Sequence, residues 1–299
     1  MTRLADLAEL VRAPAALSVP GDVLSGAAAV GALGPRTPAL AGASVLLYWA
    51  GMAANDWADR RLDAVERPER PIPSGRVRPA VALGVASGLT AAGLAVATAA
   101  GGRRAAAVAL PLAATIWGYD LRAKNTAAGP AVMAACRGLD VLLGASGGRV
   151  VRALPAALTV AAHTWTVTAL SRREVTGADR RLPGLTLAGT ALIALTTPAR
   201  PGPPATGPGR SGAAHAARLG DLVPAVLAAG YATRYGRAQA RVLADPSPAR
   251  VRAAVGAGIT GLPALQGALT ARAGARLLGL AVAGAAPLGR RLARLISPT

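Results

Sequence analysis

The sequence predicts an all-α protein, a polytopic transmembrane bundle of about nine helices. Three observations carry that prediction. Apolar runs follow one another near 17–33, 39–55, 79–100, 105–120, 130–146, 153–170, 182–197, 219–233, 251–268 and 275–289. Hydrophobic residues make up 53% of the 299 and charged ones only 16%, with mean hydropathy +0.40. That balance suits an integral membrane protein and not a soluble domain of this length. Charged residues gather between the runs, so each run is apolar around most of its circumference.

The elements follow in order. In residues 1–12, Leu4, Leu7, Ala8 and Val11 fall at helical spacing with Asp6 and Glu9 between them. This reads as a short interfacial helix; a secretory signal would continue into a long apolar core. The first seven runs lie near the roughly 20 residues that span hydrocarbon, several at the short end of that range, and each is assigned one helix. The last three supply two or three more. Abundant Ala and Gly suit closely packed transmembrane helices. The Pro- and Gly-rich segment 198–217 reads as a flexible loop, and residues 1–299 as one transmembrane domain of two helical halves.

Charge orients the bundle and excludes other classes. The net charge is +19, but the arginines sit in short segments between apolar runs, and aromatic residues for stacking on nucleic-acid bases are nearly absent, Phe altogether. Basic loops instead anchor to anionic membrane lipid and set topology. The connections 57–78 and 171–181 are rich in Arg, and 121–125 holds Arg122 and the lone Lys124, whereas 34–38, 101–104 and 147–152 carry only one or two arginines each. The rich loops belong in the cytoplasm. The expected location is therefore a bacterial cell membrane with the site facing the cytoplasm. A lone Cys136 permits no disulfide or cysteine metal site, and His163 and His215 are too far apart in sequence to support a triad.

Three constellations carry the chemistry. Asp56, Asp59 and Asp63, spaced i, i+3, i+7 after Asn55, share one helix face. Crowded carboxylates repel unless a cation lies between them, and Mg²⁺ prefers such oxygen ligands. Arg67 and Arg70 follow, natural partners of phosphate. Five of the fourteen acidic residues lie between 56 and 69, which is far from even scattering. The second constellation is Tyr119, Asp120, Arg122, Lys124 and Asn125. Lys124 is the only lysine, and Asn55 and Asn125 are the only asparagines, so all three residues of these two types fall in these two segments. The third is Ser171-Arg172-Arg173-Glu174. Arg12, before the first run, reaches toward the same side. Arg137 and Asp140, at i, i+3, could pair within one helix, and Asp22 and Asp221 read as structural.

Asn55-Asp-x-x-Asp59-x-x-x-Asp63, with Arg67 and Arg70-Pro71-Ile72-Pro73-Ser74-Gly75, resembles the first aspartate motif of the UbiA-type membrane prenyltransferases. Tyr119 through Lys124 is similar to that family's Tyr…Lys element. The resemblance implies a nine-helix bundle around a central cavity open laterally to lipid. It also implies Mg²⁺-dependent transfer of a prenyl chain from its diphosphate to a lipophilic or aromatic acceptor. Ser171-Arg172-Arg173-Glu174 stands where the family carries a second aspartate motif, a departure similar to the EboC-like branch.

On that resemblance, Asp56, Asp59 and Asp63 hold the metal with Asn55 as a neutral donor, and Glu174 supplies one more oxygen. Lys124, Arg67 and Arg70 neutralise the departing pyrophosphate, with Arg12, Arg122, Asn125, Arg172 and Arg173 as further substrate contacts. Tyr119 or Trp117 shelters the carbocation. The alternative is a membrane protein that binds or moves a lipid diphosphate without chemistry. A CDP-alcohol phosphotransferase would show Asp-Gly-x-x-Ala-Arg before its aspartates, and none precedes Asp56.

Overall fold

The computed structural model describes residues 3–197 and 211–285, which contain helices and turns but no strand. In chain order the helices are α1 (Leu4–Leu10), α2 (Pro20–Ala29), α3 (Thr37–Glu66), α4 (Pro79–Gly118), α5 (Gly129–Gly144), α6 (Leu154–Ser171), α7 (Arg181–Thr196), α8 (Ser211–Ala244), α9 (Pro248–Arg272) and α10 (Arg276–Ala285). Proline stands in the first turn of α2 to α6 and of α9. Its missing N–H costs nothing there, and its fixed φ suits the helix.

α4 joins two of the expected runs. Gly102, at φ 62° and ψ −152°, breaks it into two arms, a conformation open to glycine. Counting both arms, α2 to α9 give nine helices among the described residues, in the predicted order. Of the described helices, Thr37–Glu66, Pro79–Ala123 and Val150–Ser171 are long and apolar enough to cross a membrane. Residues 198–210 of the predicted loop lie outside the described residues, and 211–217 begin α8. The side chains of His215 and Asp221 also lie outside them.

The 30 residues of α3 extend about 45 Å against a hydrocarbon core of roughly 30 Å. It is thus several turns longer than that core, and its charged last turns carry Asp56 to Asp63. Pairings of α3 with α4, α5 with α6 and α8 with α9 are the most extensive. One core joins α3, α4 and α5 around Leu47, Leu112 and Leu143; another joins α6, α8 and α9 around Val160, Tyr231 and Leu265. In the second, buried His163 shares a 2.9 Å hydrogen bond between Nδ1 and the Tyr231 hydroxyl. This histidine is a satisfied core residue.

α2 crosses α5 backbone to backbone. A Cβ on Gly26 would overlap the Val141 carbonyl oxygen, and one on Gly144 would overlap that of Val23. Small residues permit this approach. Gly144→Ala is expected to lower stability by about 1–3 kcal/mol through overpacking, seen as a lower thermal midpoint of the purified protein. Gly84→Ala, with nothing within 4 Å of the added carbon, should leave the midpoint unchanged or raise it.

Candidate active site

The carboxylates of α3 divide between two sets of partners. Asp56 and Asp63 are both buried. Asp56 Oδ1 accepts from Arg12 Nη2 at 3.0 Å and from Arg70 Nη1 at 3.3 Å. The same Arg70 nitrogen donates to Asp63 Oδ2 at 2.7 Å. Asp59 turns the other way, to Lys124 Nζ at 2.6 Å. Three carboxylates thus face three cations at one end of the bundle. Beside them Asn55 Nδ2 donates to Asp120 Oδ1 at 3.0 Å, which joins the first two sequence constellations into one site.

Local structure holds each cation in place. Arg70 opens a compact turn: Ser74 N–H donates to the Arg70 carbonyl at 3.0 Å, Val77 N–H donates to that of Pro71 at 2.8 Å, and Gly75 has φ 76°. Ile72 and Val77 are buried beside Leu10 and Val11, so the turn is packed as well as bonded. Arg12 has φ 47°, the one positive value among the described non-glycine residues. That uncommon conformation sends its guanidinium to Asp56. α1 is fastened to the same turn by Arg76, which donates to Asp6 at 2.9 Å, to Glu9 at 2.6 and 2.9 Å, and to the Glu69 carbonyl at 2.7 Å. The Arg3 backbone N–H and the Arg76 guanidinium hold the Asp6 carboxyl below the usual range. Lys124 follows a π-turn, Tyr119–Ala123, at the end of α4, an irregularity frequent at functional sites.

Other predicted residues stand apart. Arg67, Arg122, Asn125 and Arg173 are exposed, and among the described residues their side chains make no hydrogen bond or ion pair. Arg172 donates to the carbonyls of Lys124 and Thr126, tying the α6–α7 loop to the lysine. Glu174, in that loop, is half-buried; burial pushes its carboxyl up and Arg252 pulls it back. No three His, Cys, Asp or Glu residues gather as a metal cage among the described residues. Trp117, expected to shelter the reacting carbon, turns instead to Thr90, donating to its hydroxyl at 3.1 Å. Arg137 does not pair with Asp140. Its Nε lies 2.8 Å from Asp22 on α2, and Asp140 accepts from Ser44 at 2.7 Å.

Below the carboxylates a cavity of about 100 Å³ runs into the bundle, lined by Ser44, Tyr48, Met52, Tyr119, Asp120 and Asp140 among others. Sequence reasoning named Tyr119 for this role and gave Ser44, Tyr48 and Met52 none. Their signal was present: Ser44, Tyr48, Met52 and Asp56 recur every four residues on one face of α3. Asp120, 4% exposed, sits where cavity and carboxylate cluster meet.

Known proteins resemble this chain in sequence and in fold. The profile of the UbiA prenyltransferase family matches residues 21–194. Digeranylgeranylglyceryl phosphate synthase of Methanothrix thermoacetophila is 55% identical over 49 residues, 16% of this chain and 18% of that one. The synthase of the same name from Natronomonas pharaonis is 44% identical over 85 residues, 28% and 31% of the two chains. The bacteriochlorophyll synthase 33 kDa chain of Rhodobacter capsulatus is 68% identical over 25 residues, 8% of each. The matched segments therefore span less than a third of these curated relatives.

Likeness of fold extends further. A solved structure from work on digeranylgeranylglyceryl phosphate synthase in membranes superposes with TM-score 0.66 at 15% identity, covering 91% of this chain and 99% of that one. The apo structure of a UbiA homolog from Aeropyrum pernix K1 gives 0.57 at 18% identity, covering 88% and 96%. The apolar helices and the family together make this an integral membrane protein. The profile match takes in every cluster residue on α3, its following turn and the π-turn, and the chain belongs to the UbiA prenyltransferase family.

Proposed function

We propose that the protein transfers a prenyl group from a prenyl diphosphate to a lipophilic or aromatic acceptor inside the membrane, with Mg²⁺ as cofactor. One observation carries the reading: three carboxylates matched by three cations at the mouth of a largely apolar cavity. The donor set suits Mg²⁺. That ion takes one or two carboxylates together with substrate phosphate and water, so a closed protein cage is not needed. Arg70 Nη1 already lies between Asp56 and Asp63, which marks that position as one where positive charge is favoured.

Asp56, Asp59 and Asp63 would hold the metal, with Asn55 beside them and Glu174 as an outlying oxygen. Bound Mg²⁺ supplies charge neutralisation for the departing pyrophosphate. Arg12, Arg70 and Lys124 exchange their carboxylate partners for diphosphate oxygens, and their charge stabilises the negative charge that grows on the leaving group. Arg67, Arg122, Asn125, Arg172 and Arg173 rim this end and draw the anion in. Tyr119 and the apolar walls keep water from the allylic carbon until the acceptor captures it. We infer a site on the cytoplasmic face of a bacterial cell membrane, against anionic lipid; the positive charge of the surrounding loops supports the cytoplasmic orientation. Nucleic acid has no part in the reading.

Purified protein with Mg²⁺, radiolabelled prenyl diphosphates of several lengths and membrane extract as acceptor source tests the proposal. Mg²⁺-dependent pyrophosphate release is expected. Lys124→Met should reduce its rate by about a hundredfold and weaken diphosphate binding. Tight Mg²⁺-dependent binding with no release under any acceptor would replace the enzyme by a lipid-diphosphate carrier.

A further inference from the structure

The end of the bundle away from the carboxylates holds a second cavity. Trp117, late in the second arm of α4, donates to Thr90 in the first, so the two arms run back beside each other. Gly102 between them therefore lies at the opposite end from Asp120. From Thr37, which opens α3 at this end, to Asp56 the helix rises about 28 Å. The cavity measures about 320 Å³, within the roughly 300–1,000 Å³ of small-molecule sites. It lies between the α2–α3 loop, the break in α4 and the end of α5, and both Arg36 and Arg104 line it. Both are exposed, and among the described residues neither guanidinium makes a hydrogen bond or ion pair. No acid offsets them: segments 23–55, 79–119 and 141–171 hold five arginines and neither Asp nor Glu. The acid closest in sequence to the cavity wall, Asp140, lies a turn deeper on α5 and is bonded to Ser44. Two hydroxyls belong to the same wall. Buried Thr37 accepts at Oγ1 from the Gly34 N–H at 3.0 Å, and its own N–H donates to the Gly34 carbonyl at 3.0 Å. That pair fixes the loop and leaves the hydroxyl proton of Thr37 to donate. Ser146 is 2% exposed, and its Oγ has no hydrogen-bond partner among the described residues.

We infer that this cavity is a second anion site, which takes the phosphate group of an anionic phospholipid from the leaflet opposite the carboxylate cluster. Guanidinium groups match phosphate oxygens in geometry and keep their charge. The positive end of the α3 dipole adjoins the same space. Position selects a lipid over a free anion. Arg36 stands just before the apolar run 39–55, and Arg104 between the runs 79–100 and 105–120, where basic residues meet headgroups. Leu33 and Leu40 line the cavity beside the cations, and Leu33 is 37% exposed, so the glycerol end of an acyl chain finds an apolar wall. A choline headgroup would bring its own cation against Arg36 and Arg104, which favours a lipid of net negative charge. Bound there, the lipid ties the α2–α3 loop to α4 and α5 and adds its binding free energy to stability. The site takes no part in prenyl transfer.

The test titrates the full chain, delipidated in a neutral detergent, with dioleoylphosphatidylglycerol, dioleoylglycerol or inorganic phosphate. Native mass spectrometry counts bound lipid, and the thermal midpoint reports its effect on stability. Wild type is expected to gain midpoint with phosphatidylglycerol, and to gain none with dioleoylglycerol or with phosphate at the same concentration. Arg36→Gln combined with Arg104→Gln should weaken phosphatidylglycerol binding about tenfold, the scale of one lost charge-assisted bond. Arg103→Gln combined with Arg149→Gln removes the same charge from this end but outside the cavity, and should change it less than about twofold. Neither Arg36 nor Arg104 has an ion-pair partner to strand, and Arg104→Gln alone, with a loss of about threefold, serves if the double variant does not fold. Equal losses in the two double variants would make the attraction a property of the whole basic face and overturn the site. Undiminished binding by the Arg36 and Arg104 variant overturns it as well. Inorganic phosphate that stabilises as strongly as the lipid overturns the assignment to a phospholipid. Lipid binding needs no turnover, so failure of the prenyl-transfer reading and failure of this site are separate results.

Discussion

Asp56→Ala is expected to reduce Mg²⁺-dependent pyrophosphate release by about a hundred- to a thousandfold, the scale of losing one preorganised electrostatic contact in a water-poor site. Asp56 is 4% exposed and is the carboxylate on which Arg12 and Arg70 converge. Its removal leaves Arg12 without its one ion-pair partner among the described residues, while Arg70 keeps Asp63. The variant should therefore still bind prenyl diphosphate, now with little dependence on Mg²⁺, because two guanidinium groups stay in place and the metal position is damaged. Asp63→Ala should be milder, since Arg70 retains Asp56. Binding and release must be measured separately to see this. Asp56→Ala that retains both the wild-type rate and its metal dependence would show that the first carboxylate of α3 is not a metal ligand. A loss of diphosphate binding equal to the loss of rate would show instead that the acid holds the substrate in the ground state.

Much of this organisation was legible in the sequence because a membrane imposes a coarse code. Apolar runs of near-span length named each helix, and the break at Gly102 fell between two of them. The spacing of Asp56, Asp59 and Asp63 predicted a common face, and their helix does present them at one end. What spacing could not show was the division of labour. Whether a carboxylate meets Arg70 or Lys124 depends on how the 67–78 turn and the π-turn fold back onto α3, and those contacts lie far apart in the chain. The expected pairing of Arg137 with Asp140 failed for the same reason: the close approach of α2 at Gly26 and Gly144 brings Asp22 to the arginine first. Arg67, Arg122, Asn125 and Arg173 were named by proximity in sequence to the motifs, whereas a rim position is decided by the direction of the loop.

Arg137→Leu is expected to destabilise the protein by about 3–5 kcal/mol, the cost of removing one member of a buried ion pair. Asp22 is fully buried; it receives Arg137 Nε at 2.8 Å and Gln266 Nε2 at 2.6 Å. Without the guanidinium only the neutral amide remains, and Asp22 and Asp140 would be buried acids with no cation between them. The Ser18 carbonyl would keep its 2.9 Å bond from Gln266 but lose the one from Arg137. Three helices meet at this point, so the loss should loosen α2 against α5 and α9 together. Removing both charges separates the pair from the packing. Asp22→Asn combined with Arg137→Gln leaves no uncompensated charge at that pair and should recover most of the stability lost in either single variant. Thermal unfolding of the four proteins in one detergent measures the coupling. If the double variant is as unstable as the sum of the singles, Arg137 acts through its packing and not through Asp22. A coupling of several kcal/mol would identify the pair as the clamp that fixes α2 in the bundle, and with it the position of the Arg12 that precedes it.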